Sequence, residues 1–290
     1  MHALVAEVAR RAEARVLFIK GPALVLQGLR DPRDSVDVDV LVDPQRQDEL
    51  LAGLADVGWE AQGPFDTPSV MARHSVTLRH PVWACELDVH HYFPGFLAAP
   101  EHVFEILAAR NCSVEIAGRT LPCPDPVAHA ALFALHCLRD SREPGHQAQL
   151  EQLVARVQAK WTSVDFADLV DLSRDTGAEM TLLPFFEALG IEPVANPPTR
   201  PGFDEWRLRS QTETAASLNW LVELQRTPWR ARAGVLRKAV WPTDAEMTRH
   251  MPYTEGDPRL MRRERWRRLK RGLKNLPRAV AEVRDPGPHE

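Results

Sequence analysis

No stretch of this chain approaches the roughly 18 uninterrupted apolar residues that a membrane helix needs, so no membrane span is expected. Its first residues are interrupted by Glu7 and Glu13, which argues against a secretory signal. Cysteine is scarce: Cys85, Cys112, Cys123 and Cys137 are scattered, and no Cys-x-x-Cys pair occurs. That spacing supplies neither a zinc site nor a disulfide frame, and it fits free thiols buried in a reducing cytoplasm. No internal repeat is found. What is present is an ordinary globular composition, 44% hydrophobic and 26% charged over 290 residues, enough for one large domain or two modest ones.

Charge is unevenly spread. From Arg259 to Arg278 there are ten Lys or Arg and one acid, Glu264, so the segment carries +9 in a chain whose formal net charge is −4. The rest therefore carries −13. An acidic body with a basic terminal helix calls for an anionic partner: the body itself, a phosphate-bearing ligand, or nucleic acid. Within that helix Trp266, Leu269, Leu273 and Leu276 form one apolar stripe, read as packing.

Hydropathy along the chain reads as an α/β part followed by helices. Residues 1–15 alternate at helical spacing. Val16-Leu17-Phe18-Ile19 is a short strand, Lys20-Gly21-Pro22 a tight turn, and Ala23 to Leu29 a helix that proline opens well. Asp31 to Asp34 is a loop. Val36 to Val42 has the β-branched content of a buried strand, and Asp43-Pro44 opens a helix to about Val57. Strands are expected again at Ser75–Arg79 and at Cys85–His91. After about Glu101 the character changes. Asp125-Pro126 begins an apolar helix through Leu138, and helical patterns continue, broken at Glu192–Pro201 and at Trp241-Pro242.

The chemistry gathers on the strands. Asp37 and Asp39 sit two apart in an apolar run, so the pleat points both carboxylates to one face. Buried like charges repel, and a divalent cation is the usual remedy. Mg²⁺ prefers carboxylate oxygens and keeps positions open for substrate phosphates. A third carboxylate on a neighbouring strand would complete a two-metal arrangement, and Asp88 in Glu86-Leu87-Asp88-Val89-His90 fits that place. Glu86 competes with it on the same face. His90 is either a supporting donor, an acceptor-site residue or a packed strand histidine. Upstream, the turn at Lys20-Gly21 opens a helix whose free N–H groups and dipole suit phosphates, with Lys20 and Arg33 as nearby cations.

These residues carry a family resemblance. Leu17-Phe18-Ile19-Lys20-Gly21-Pro22-Ala23, then Arg33, then Asp37-Val38-Asp39-Val40-Leu41-Val42, then a helix ending near Gly58-Trp59, resembles a bacterial nucleotidyltransferase family of the DNA polymerase β-like superfamily. Glu86 to His90 resembles its later strand, Pro124–Cys137 its following helix, and Trp241–Arg271 its closing segment. The resemblance implies an α+β fold: a mixed sheet flanked by helices, then a helical domain. It implies catalytic and metal-binding roles for Asp37, Asp39 and Asp88, and triphosphate contacts from Lys20, Gly21 and Arg33. Two Mg²⁺ ions are expected, with Mn²⁺ as the alternative, and a nucleoside triphosphate (NTP) as substrate. Where the superfamily has Gly-Ser or Gly-Gly, this chain has Gly21-Pro22, and proline has no N–H to give.

The reading is thus a cytoplasmic nucleotidyltransferase that transfers a nucleoside monophosphate to a hydroxyl acceptor. Its parts are residues 1–122 (catalytic), 123–255 (helical, acceptor-selecting) and 256–290 (basic helix and tail). Two rivals stand beside it. One modifies RNA or protein, although nucleic acid is the less favoured partner. The other is a catalytically silent nucleotide-binding or scaffold protein. Ser35 reads as a loop hydrogen-bond donor, and His129 and His136, seven apart, as a helix–helix contact.

Overall fold

In a computed structural model the described residues are 1–33, 37–61, 74–139, 143–192, 198, 200–211, 224, 227–244, 247 and 257–284. Ser35 and most of the proline-rich break lie outside them. The chain divides into two compact units, Met1–Gln62 with Arg73–Gln211, and Gly63–Ala72 with Thr212–Glu290.

The first unit is built on a five-stranded mixed sheet in the order β1-β2-β5-β4-β3. Its strands are β1 (Val16–Ile19), β2 (Asp37–Val42), β3 (Glu60–Ala61), β4 (Ser75–Arg79) and β5 (Glu86–His90). β1 runs antiparallel to β2, β2 parallel to β5, and β4 antiparallel to β5. Alternation then sorts the side chains. Val16, Phe18, Val38, Val40, Val42, Leu87 and Val89 enter one core, with Val5 and Val8 of α1 (His2–Arg11) and Leu50 and Leu54 of α3 (Gln47–Asp56). Leu17, Ile19 and Leu41 point the other way. They meet Leu24 of α2 (Gly21–Leu26), Leu107 of α4 (Pro100–Ala109) and the apolar helix α5 (Pro126–Leu138). Asp37 and Asp39 share that second face with Leu41, so the carboxylates point toward the side that α2 and α5 cover.

Helices α6 (Pro144–Lys160), α7 (Ser163–Thr176), α8 (Leu183–Leu189) and α9 (Phe203–Gln211) follow. Phe133, Leu153, Leu169, Phe185 and Phe186 extend the second core into them. Asp125 caps α5 by accepting the Ala128 N–H at 2.8 Å, and Pro126 opens it. Two differences from the sequence reading stand out. Helix α2 stops at Leu26, with Gln27 as its cap, and the chain turns at Gly28. A hairpin, β6 (Asn111–Ile116) and β7 (Arg119–Pro124), occupies a stretch to which the sequence reading gives no element. In β6 exposed Asn111, Ser113 and Glu115 alternate with half-buried Cys112, Val114 and Ile116, the period of a half-buried strand.

In the second unit a short turn, Trp229–Ala231, leads into the helix Arg232–Val240, and a long helix spans Pro258–Arg284. Arg265 joins the two by donating to the Pro242 carbonyl at 2.9 Å and to Asp244 at 2.6 Å. Trp266 meets Trp241 edge-on, but it is 47% exposed and Leu273 is 59% exposed. The stripe therefore packs only in part. No helix among the described residues is long and apolar enough to cross a membrane.

Candidate functional site

Register brings the acids together. β2 and β5 pair so that Asp39 lies opposite Asp88, and Asp37 opposite Glu86. Ligand atoms of Asp39, Asp88 and His90 all lie within 4.8 Å of one another. Asp37 stands two residues earlier on the same face, outside that group of three. Glu86 turns to Arg79 in an ion pair at the sheet surface.

Asp39 is the most enclosed acid of the cluster, only 5% exposed. Its Oδ1 receives the Lys20 ammonium at 2.6 Å and His90 Nε2 at 2.9 Å. Burial pushes its carboxyl upward, but Lys20 and His90 outweigh that and hold it well below the usual carboxylate range. A carboxylate can only accept, so His90 carries its proton on Nε2. Burial keeps that imidazole neutral. Its Nδ1 is then a buried lone pair with no hydrogen-bond partner among the described residues.

Asp88 behaves oppositely. Burial and the charge of Asp39 push its carboxyl up, against a 2.5 Å hydrogen bond from Thr77. A raised carboxyl beside a second carboxylate and the His90 imidazole fits a divalent cation. The carboxylate oxygens suit Mg²⁺ or Mn²⁺, and the imidazole nitrogen suits transition ions as well. Asp39, Asp88 and His90 are the residues that could hold such an ion.

The cation side of the site is shaped by the turn after β1. Lys20 has φ +59° and ψ −147°, and Gly21 follows with φ +46°. Gly21 adopts that conformation freely, whereas a lysine there carries about 1–3 kcal/mol of strain. The Lys20 N–H donates to His129 Nε2 at 2.8 Å, and the Lys20 ammonium lies over the Phe93 ring. Arg30, which the sequence reading did not single out, is 7% exposed and donates to the Gly21 carbonyl at 3.3 Å. Its guanidinium lies 5.9 Å from the Phe133 ring centre, within electrostatic reach of Asp37 and Asp39. Arg33, which was singled out, is exposed on the loop beyond, where its charge is felt at Arg30 and Cys137.

Several partners were thus absent from the sequence reading. Thr77 could have been found, because Ser75-Val76-Thr77 alternation and strand pairing set it opposite Asp88. Arg30 and Gln27 carry no such signal, since each is a lone polar residue near a helix end. His129 was read as helix packing, and it serves the Lys20 main chain instead. His136 does meet His146 of the next helix, with ring centres 4.9 Å apart.

No curated protein matches the chain. Among the solved structures that resemble it, three each share 15% identity. The lincomycin-bound lincosamide antibiotic adenylyltransferase LnuA has a TM-score of 0.32, covering 58% of this chain and 92% of its own. The antibiotic-resistance factor ANT(2'')-Ia has a TM-score of 0.36, covering 65% and 88%. An antigenic nucleotidyltransferase-like protein from Paracoccidioides brasiliensis also scores 0.36, covering 67% and 95%. A sequence family described as "uncharacterised nucleotidyltransferase" matches residues 3–189, which include the sheet, the acidic cluster and helices α1 to α8. The chain belongs to that nucleotidyltransferase family.

Proposed function

We propose that this chain transfers a nucleoside monophosphate from an NTP to a hydroxyl acceptor, releasing pyrophosphate. The observation that carries the reading is the pairing of Asp39 with Asp88 across β2 and β5, beside His90, in a chain of this family. Asp39 and Asp88, with Asp37 on the same face, would hold divalent ions, Mg²⁺ in the first instance. Such ions, when bound, neutralise the triphosphate and lower the pKa of the attacking hydroxyl.

The chain's own residues have distinct tasks. Asp88 has a raised carboxyl and its Oδ1 taken by Thr77, so Oδ2 receives the acceptor's proton. The acceptor oxygen bonds to the α-phosphorus, and the bond from that phosphorus to the pyrophosphate oxygen breaks. Lys20, Gly21 and Arg33 hold the triphosphate, and the buried Arg30 steadies the turn through the Gly21 carbonyl. Positioning and charge neutralisation supply most of the acceleration, as in phosphoryl transfer generally. The helices after β7 select the acceptor, and four free thiols suit a reducing cytoplasm.

The test is incubation of the full chain with labelled NTPs, Mg²⁺ and cell extract, followed by mass spectrometry. A product heavier by one nucleotide is expected, absent in Asp39→Asn with Asp88→Asn. Equal product from that double variant would overturn the assignment.

A second reading has one observation in its favour. Pro22 has no N–H, and the Lys20 N–H is already taken by His129, so two phosphate contacts are missing from the turn. A nucleotide-binding protein without turnover would have this form. Calorimetry with Mg²⁺ and ATP, then a pyrophosphate-release assay, separates the two.

A further inference from the structure

The strained turn at Lys20 is held from a distance. His129, fully buried on α5, lies 109 residues along the chain from the amide it receives. An amide N–H can only donate, so Nε2 of His129 must be bare and its proton must sit on Nδ1. Nδ1 lies 2.7 Å from Gln27 Oε1, which accepts that proton's hydrogen bond. The Gln27 amide nitrogen donates in turn to the Pro124 carbonyl at 2.7 Å, which fixes the orientation of its oxygen. The four groups thus form one directed chain, from the Lys20 amide through His129 and Gln27 to the end of β7, and each link dictates the next.

We propose that His129, oriented by Gln27, is a positioning residue of the site: by capturing the Lys20 amide it holds the turn that sets the Lys20 ammonium on Asp39. This rests on the reading of Lys20 as part of a nucleotidyl-transfer site. The left-handed backbone at Lys20 is one a lysine does not choose, and the captured N–H is the contact that retains it. With the main chain pinned, only the four-carbon stem of Lys20 moves, so the ammonium has a short, defined reach between Asp39 and an arriving phosphate. Without the capture, the peptide before Lys20 is free to turn over, and the ammonium leaves Asp39.

The experiment labels the full chain with N-hydroxysuccinimidyl acetate, without nucleotide or metal, and follows acetylation of Lys20 by mass spectrometry against exposed Lys270. In the wild type Lys20 reacts slowly. His129→Leu, shown folded by circular dichroism, should speed its labelling about five-fold, the ratio that one net hydrogen bond represents. His129→Gln, whose side-chain oxygen accepts and whose NH₂ donates, should stay near wild type. A folded His129→Leu that labels at the wild-type rate overturns the proposal, because a histidine that merely fills the core would lower stability and leave Lys20 protected. Should His129→Leu fail to fold, Gln27→Leu keeps the histidine but frees its tautomer, and it is read in the same way. Calorimetry with Mg²⁺ and ATP adds a second readout: affinity falls in the leucine variant and is kept in the glutamine one. If wild type binds no nucleotide, the transfer reading fails, while the labelling still decides the role of His129.

Discussion

Asp39 faces Asp88 across the parallel pairing of β2 and β5, and although burial pushes both carboxyls up, their net shifts are opposite. Lys20 and His90 sit on the first, which stays charged. Burial and the repulsion of its neighbour raise the second, against the hydrogen bond from Thr77. One buried acid is thereby held charged, and the other is shifted toward its protonated form.

The two acids should respond differently to amide replacement. Asp39→Asn leaves the largely buried Lys20 ammonium without its partner, a loss of about 3 kcal/mol or more. Asp88→Asn removes a repulsion, so its melting temperature should equal or exceed that of the wild type. Both should lower transfer by at least about 100-fold, the scale of a lost acid–base group. Thermal denaturation beside the transfer assay checks the contrast; equal destabilisation by the two variants would contradict it.

Thr77→Val should move the pH dependence of transfer. The Thr77 hydroxyl lowers the Asp88 carboxyl, so its removal raises that carboxyl further. A base must be unprotonated to act, so the acid limb of kcat/KM against pH should shift to higher pH. An unmoved limb would show that Asp88 is not the group that titrates.

Stability should fall in mild acid for a reason separate from the carboxylates. Burial lowers His129 from 6.5 to about 3 and His136 to about 2. Each is neutral in the folded chain at pH values where the unfolded chain would protonate it. Their contribution is therefore complete above pH 6.5 and shrinks as pH falls from there toward 3. Each histidine adds a slope of up to about 1.4 kcal/mol per pH unit. Urea midpoints measured between pH 7.5 and 5 should decline, and His136→Phe should make the decline shallower.

Divalent ion and nucleotide together should stabilise the fold. A ligand at 100 times its dissociation constant adds about 2.7 kcal/mol. Mg²⁺ with a non-hydrolysable NTP analogue should therefore raise the melting temperature of the wild type, and Asp39→Asn should lose most of that rise. An equal rise in the variant would place the ion elsewhere.

The local pattern of the chain was enough to find β1, β4 and α5 at their bounds, and to put Asp37 and Asp39 on one face of β2 and Asp88 on β5. Strand alternation and proline-opened helices are properties of neighbouring residues, so sequence alone determines them. The hairpin β6–β7 was legible but missed: in β6 exposed Asn111, Ser113 and Glu115 alternate with half-buried Cys112, Val114 and Ile116, the period of a half-buried strand. Which carboxylate joins Asp88 was decided by register: the pairing chose Asp39 with His90 and left Asp37 outside the cluster. The links among Lys20, His129 and Gln27, and the place of Arg30 under Gly21, were also settled only in three dimensions. A hydrogen bond between groups 109 residues apart leaves no period in the sequence. It exists because packing α5 against the sheet brings an acceptor to an amide that would otherwise be buried without one.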